Sequence, residues 1–360
     1  MEDIISDFLF NLIRIAIGKQ SSLSEVYNHI DWNKVYHAAN KQSIIGVCFS
    51  AISKLPENDR PYGDLFFQWL SVALQIQNQN KHIDEQSSQI WHQLIDAGLE
   101  AVVLKGQGIA TLYGDLANLR QSGDIDIWVK GGYQKVCKYV HSTQPTDDLA
   151  YHRFHYDTFE DTEVELHHRP TLMRNLLADK KLSKWYNSFD FNKFTYLEEK
   201  GFAVPSYEFN SIFVLTHIYR HFLFAGVGLR QVMDYYFVLK NRPDAITDNT
   251  EIENILGTLR LKRFAGALMW VLKTQFLLEK EYLICNPNKK EGRFLLNEIM
   301  KSGNFGQLDE RYRYKRMFKL KRMIRRGCHL LIHYPSEVLW SPIWIVYHFF
   351  WKLIKKNLLI

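Results

Sequence analysis

Between Gly123 and Ile127 the chain reads Gly-Asp-Ile-Asp-Ile, and that alternation of acidic and apolar residues limits what can be built around it. On a strand, Asp124 and Asp126 project to one face while Ile125 and Ile127 project to the other. Two carboxylates about 4–5 Å apart repel by roughly 3–4 kcal/mol at an effective dielectric of about 20. A partly buried sheet keeps such a pair only against positive charge. A pair of divalent ions supplies it, and hard oxygen ligands favour Mg²⁺ or Mn²⁺. Upstream, Val102, Val103 and Leu104 form a short apolar run that predicts a buried strand, followed by a Lys105-Gly106 turn and a helix over Ile109–Tyr113.

Taken together, Lys105-Gly106, Arg120 and Gly123-Asp124-Ile125-Asp126 resemble the signature of the uncharacterised bacterial nucleotidyltransferases of the polymerase-beta-like superfamily. Further along, His167 in VELHHRP resembles the family's acidic-x-His strand, and HIYRHFL with GLRQVMDYY resembles its helical segment, so the likeness runs from Trp32 to Tyr236. The resemblance implies an α+β fold, a small mixed-sheet nucleotidyltransferase core flanked by N-terminal and C-terminal helical regions. It also implies that a Gly-rich turn faces triphosphate, that the Asp-x-Asp holds two metals, and that a later strand adds a carboxylate. The chain departs from the pattern at the first turn: many superfamily members carry Gly-Ser, and this chain has Lys105-Gly106-Gln107, without the hydroxyl that touches phosphate.

At 360 residues and 46% hydrophobic content the chain can bury a large core. Cys48, Cys137, Cys285 and Cys328 are scattered without a CxxC, which argues against a zinc ribbon or disulfide framework and fits a reducing cytoplasm. The N-terminal apolar run is broken by Glu2, Asp3, Asp7 and Arg14, so it reads as a helix and not as a signal peptide. No run is long enough for a transmembrane helix. A net charge of +6 is modest.

The periodicity divides the chain into an N-terminal helical region (1–98), a nucleotidyltransferase core (99–200) and a C-terminal helical region (201–360). In the first region Trp32, Val35, Ala39, Val47 and Ile52 recur at helical spacing, and separate helices are expected over Leu65–Ile76 and His82–Leu94. After the acidic strand comes a helix around Tyr133–His141 and a polar loop over Thr143–Asp148. Tyr151–Phe159 and Glu163–His167 then read as a hairpin. Helices follow over Ile212–Phe222, Leu229–Leu239 and Arg260–Leu278. A basic run interleaved with aromatic residues spans Arg311–Arg326, and an aromatic segment carrying only lysines closes the chain.

The candidate catalytic and metal-holding residues are Asp124, Asp126 and Glu165, with Glu163, on the same strand face, in reserve. Lys105, Gly106, Arg120 and Gly123 are the candidate nucleotide contacts. Lys105 suits either a phosphate or a salt bridge within the acidic cluster. Arg120 is placed to meet phosphate with two donors, and Gly106 lets backbone approach it, helped by the dipole of the next helix. His217 and His221 have the i,i+4 spacing of a zinc pair but no third ligand, so a packed helix face is expected. Arg230 and Asp234 suit a helical ion pair or the cleft wall. His155 is expected to be structural, and His167 to be near the chemistry. The function expected is Mg²⁺- or Mn²⁺-dependent transfer of a nucleoside monophosphate from an NTP, ATP foremost, to an acceptor hydroxyl with release of pyrophosphate. The acceptor is left open among a sugar, a small metabolite, a protein side chain and RNA. The rival reading is a nucleotide-binding module of the same fold without turnover. For the basic run a solvated helix is favoured over a site for RNA, an acidic partner or lipid headgroups, since helix packing also needs its aromatic residues.

Overall fold

The structure is a computed structural model that describes residues 2–23, 30–144, 150–306, 309, 311 and 319–357. Most of the expected polar loop up to Asp148 and the middle of the basic run (312–318) lie outside the described residues. Helices α1 (Glu2–Ala16), α2 (Trp32–Lys41), α3 (Ile45–Ile52) and α4 (Asp64–Asp96) come first. The central part comprises β1 (Ala101–Val103), α5 (Gln107–Ala110), β2 (Asp124–Val129), α6 (Gly132–Thr143), β3 (Arg153–His155), β4 (Glu163–His167), α7 (Leu176–Asn187), β5 (Thr195–Leu197) and β6 (Phe202–Val204). The remainder is helical: α8 (Tyr207–Phe224), α9 (Leu229–Lys240), α10 (Thr250–Thr258), α11 (Lys262–Gln275), α12 (Lys289–Ser302), α13 (Lys319–Leu330) and α14 (Pro335–Asn357). The fold is α+β, with a small mixed sheet flanked by helices, as expected.

The main sheet has the order β1-β2-β4-β3, with β2 and β4 parallel and the outer pairs antiparallel. The expected hairpin is the β3/β4 pair: β4 has the expected bounds, and β3 is shorter than the run Tyr151–Phe159. Alternation sends Ile125, Ile127 and Val129 into a core with Ile90 and Leu94 of α4 and Val136 and Val140 of α6. The opposite face turns toward α8, where Trp128 stacks on Phe209 at 5.3 Å between ring centroids. Both helical regions share one core with this face: Phe10 of α1 packs edge-on to Phe276 at 5.9 Å, and Arg14 Nε donates to the Gln275 carbonyl at 2.8 Å.

The expected helices over Leu65–Ile76 and His82–Leu94 are one helix, α4. The polar stretch between them breaks the hydrophobic pattern but contains no Gly or Pro to end the helix. Its buried Asn80 instead reaches across to the segment before β2, donating to the carbonyls of Asn118 (2.8 Å) and Arg120 (2.7 Å). α7, β5, β6, α10 and α12 were not anticipated; the two strands are only three residues long, too short to show an alternation.

Candidate active site

The parallel register of β2 on β4 assembles the acidic face. Asp124 pairs with Glu163, Asp126 with Glu165 and Trp128 with His167, and paired residues share a side of the sheet. Asp126 is fully buried, Glu165 and His167 nearly so, and Asp124 is partly exposed toward the cleft. His167 Nε2 lies 2.8 Å from Asp126 Oδ1 and 3.2 Å from Glu165 Oε2. Burial lowers the His167 imidazole pKa from its ordinary value, and the Asp126 bond only partly offsets that.

The repulsion expected between the two aspartates is answered by protein cations. Lys105 Nζ stands 2.7 Å from Asp126 and 3.2 Å from Asp124. Burial alone would lower the Lys105 pKa, but the two carboxylates outweigh it and raise the pKa. Burial likewise opposes ionisation of Asp126, yet the Lys105 charge and the His167 bond hold its carboxyl below the usual range. Arg153 of β3 forms an ion pair with Glu165. Glu163, further out, pairs with His155 at 2.6 Å.

The turn that delivers Lys105 requires glycine. Gly106 has φ +65°, and a Cβ there would lie 3.0 Å from the Asp124 carbonyl oxygen. Gly123, by contrast, has open space around it. Gln107, standing where a phosphate-binding hydroxyl would be, points away from the cleft. Its buried amide donates to the Asn80 carbonyl (3.0 Å) and to Asp84 (2.6 Å), anchoring the turn to α4. The helix that follows, α5, continues as a 3₁₀ helix over Thr111–Leu119 that kinks at Gly114, so the helix expected over Ile109–Tyr113 is divided between the two.

Lys105, Gly106 and Asp124 open onto a cleft walled by Arg120, Phe213 and His217 of α8, Arg230 and Asp234 of α9, and Phe305. Arg120 and Asp234 meet here, but as a buried pair: Nε and Nη2 of Arg120 donate to the two Asp234 oxygens at 2.7 and 2.8 Å. Tyr113 donates to the same carboxylate at 2.7 Å. The bidentate fork expected to grip phosphate is thus taken by Asp234, which also takes Asp234 away from an i,i+4 pair with Arg230. Arg230 donates to the Gln121 carbonyl (2.5 Å) and lies over Phe305 (5.7 Å), with Nε buried and unpartnered. His217 and His221 pack ring against ring at 4.4 Å, the packed face expected.

The residues present fit a divalent cation. Asp126, Glu165 and His167 each offer one atom, all within 4.8 Å of one another, a two-oxygen, one-nitrogen set. His155, Glu163 and Glu165 form a second such group that shares Glu165. Asp124 belongs to neither and stands one strand step toward the cleft mouth. His167 is the member the sequence underweighted. Its signal was the alternation Glu163, Glu165, His167 on one strand face.

Residues 28–276 match the model of a family described as uncharacterised nucleotidyltransferase. The chain belongs to the uncharacterised nucleotidyltransferase family. No curated protein and no solved structure matches it. The matched span of this nucleotidyltransferase contains the whole sheet, α8, α9 and every cleft residue named above except Phe305, which the chain supplies from beyond it.

Proposed function

We propose that the protein transfers a nucleoside monophosphate from an NTP, ATP foremost, to an acceptor hydroxyl, with pyrophosphate leaving, in a manner that depends on Mg²⁺ or Mn²⁺. The observation that carries this reading is the meeting of Asp126, Glu165 and His167, with Asp126 held 2.7 Å from Lys105 and with Lys105 and Asp124 lining the cleft. A divalent cation held there would offset charge on the triphosphate and favour ionisation of an acceptor hydroxyl. Asp124, Asp126 and Glu165 are its holders in this reading, and His167 adds a ring nitrogen. Lys105 is poised to exchange its carboxylate partners for phosphate oxygens as they are drawn off. Gly106 lets the backbone come close, and Arg230, with a donor to spare, takes the phosphate role first expected of Arg120. Residues 99–200 then serve as the catalytic core, and the scattered thiols of Cys48, Cys137, Cys285 and Cys328, all free, agree with a reducing cytoplasm.

A second reading has a specific observation in its favour. Lys105 and Arg153 already neutralise Asp126 and Glu165, as in a nucleotide-binding module that has lost turnover. Glu165→Gln and Glu163→Gln separate the two. If Glu165 serves the acceptor side, its loss lowers pyrophosphate release by ~10²-fold or more while NTP affinity changes little. Glu163→Gln stays close to wild type. A wild type that binds NTP but releases no pyrophosphate with any acceptor supports the module instead.

A further inference from the structure

The C-terminal helix is docked on one side only. Its inner side packs Trp351 against Tyr151 (5.0 Å) and Tyr133 (5.7 Å), and sets Trp344 edge-on to Tyr151 (6.1 Å). On its outer side Leu339, Ile343, Val346 and Phe350 recur at four- and three-residue spacing. Val346 is 57% exposed and Phe350 56% exposed. Soluble surfaces rarely leave so many large apolar side chains contiguous and open.

Two occupants suit such a stripe, a second copy or a lipid surface, and the flanks decide between them. A helix that pairs with its own copy carries a narrow apolar seam bordered by charges. Here the bordering positions Phe349 and Ile354 are themselves apolar and exposed, which makes the arc broad. From Val338 to Ile360 the sequence holds lysines at 352, 355 and 356 and no acidic residue. At the foot of the helix an open groove sets Arg260, Arg263 and His333 beside Leu339 and Trp340. Arg260 is exposed, sits at φ +59°, and its side chain has no hydrogen-bond or ion-pair partner among the described residues. Arg263 is held by the Ile332 and His333 carbonyls and stands 3.9 Å from Glu291, which also pairs with His333 at 2.8 Å, so Arg260 is the cation this groove presents. A cation next to an open apolar arc matches anionic headgroups above acyl chains. No helix among the described residues is long and apolar enough to cross a membrane. We infer that the outer side of α14, with the Arg260/Arg263 groove, seats the protein on an anionic lipid bilayer surface, without spanning it.

Co-sedimentation of the full chain with vesicles of phosphatidylcholine alone, or mixed with phosphatidylglycerol, tests this. The wild type pellets with the mixed vesicles, releases as salt rises, and stays in solution with the neutral ones. Phe350→Glu and Val346→Glu, whose side chains face solvent, keep the wild-type unfolding midpoint and lose binding by about tenfold or more. Arg260→Ala weakens it by about fivefold. Wild type left in the supernatant with anionic vesicles overturns the inference, as does equal binding to both vesicle types. So does a dimer in analytical ultracentrifugation that Phe350→Glu dissociates while neither protein binds vesicles, which assigns the stripe to a second copy.

Discussion

Gly106 is the residue on which the site's geometry turns most sharply. An alanine there meets both a left-handed backbone and the Asp124 carbonyl oxygen 3.0 Å away, so Gly106→Ala should cost about 1–3 kcal/mol and displace the start of β2. Gly123→Ala meets nothing within 4 Å and should stay within about 0.5 kcal/mol of wild type. Denaturant titration of the two variants checks the contrast, and equal losses would mean that the turn is not what holds Lys105 in place. At this scale the acidic alternation was legible, because a two-residue period is written directly into the chain. The partners were legible only in part. The salt bridge of Lys105 within the acidic cluster was one of the two roles its position offered, but that Asp234 claims Arg120 and that Gln107 turns to Asp84 depend on long-range approach of α9 and α4, which no local spacing records.

Among the elements, α14 is tied down by one buried acid. Glu337 accepts the backbone N–H groups of Arg174 (2.7 Å) and Asn175 (3.2 Å), next to the first turn of α7. Burial pushes its carboxyl up to about 7 from an ordinary 4.5, the two N–H bonds only partly opposing the shift. The native state therefore holds a proton that the unfolded chain has released between those values. This contribution to stability is fully present below about pH 4.5 and is lost as pH rises through about 7. Glu337→Gln should flatten that slope, and thermal unfolding from about pH 5 to about pH 8 would reveal it. A variant that keeps the wild-type slope would remove Glu337 as its source. The strands and long helices of the core were readable from their periods. The merging of two expected helices into α4 was not, since a polar stretch inside a helix looks like a loop until its buried Asn80 is seen to have carbonyl partners.

Across the whole molecule, helices from both ends of the chain close over one face of a four-stranded sheet, and the acidic strand opens where that closure leaves a cleft. The family and the α+β class were both legible from the stretch between Leu104 and Asp126, and the family match extends that likeness over residues 28–276. The central claim is that the acidic strand makes nucleotide binding depend on a divalent ion. Isothermal titration of ATP into the wild type and into a folded Asp124→Asn, Asp126→Asn double mutant, each with Mg²⁺, with Mn²⁺ and with chelator, measures it most directly. The wild type is expected to bind and to lose that binding with chelator, and the double mutant is expected not to bind under any of the three conditions. A double mutant that binds ATP with the same metal dependence as the wild type would contradict the claim.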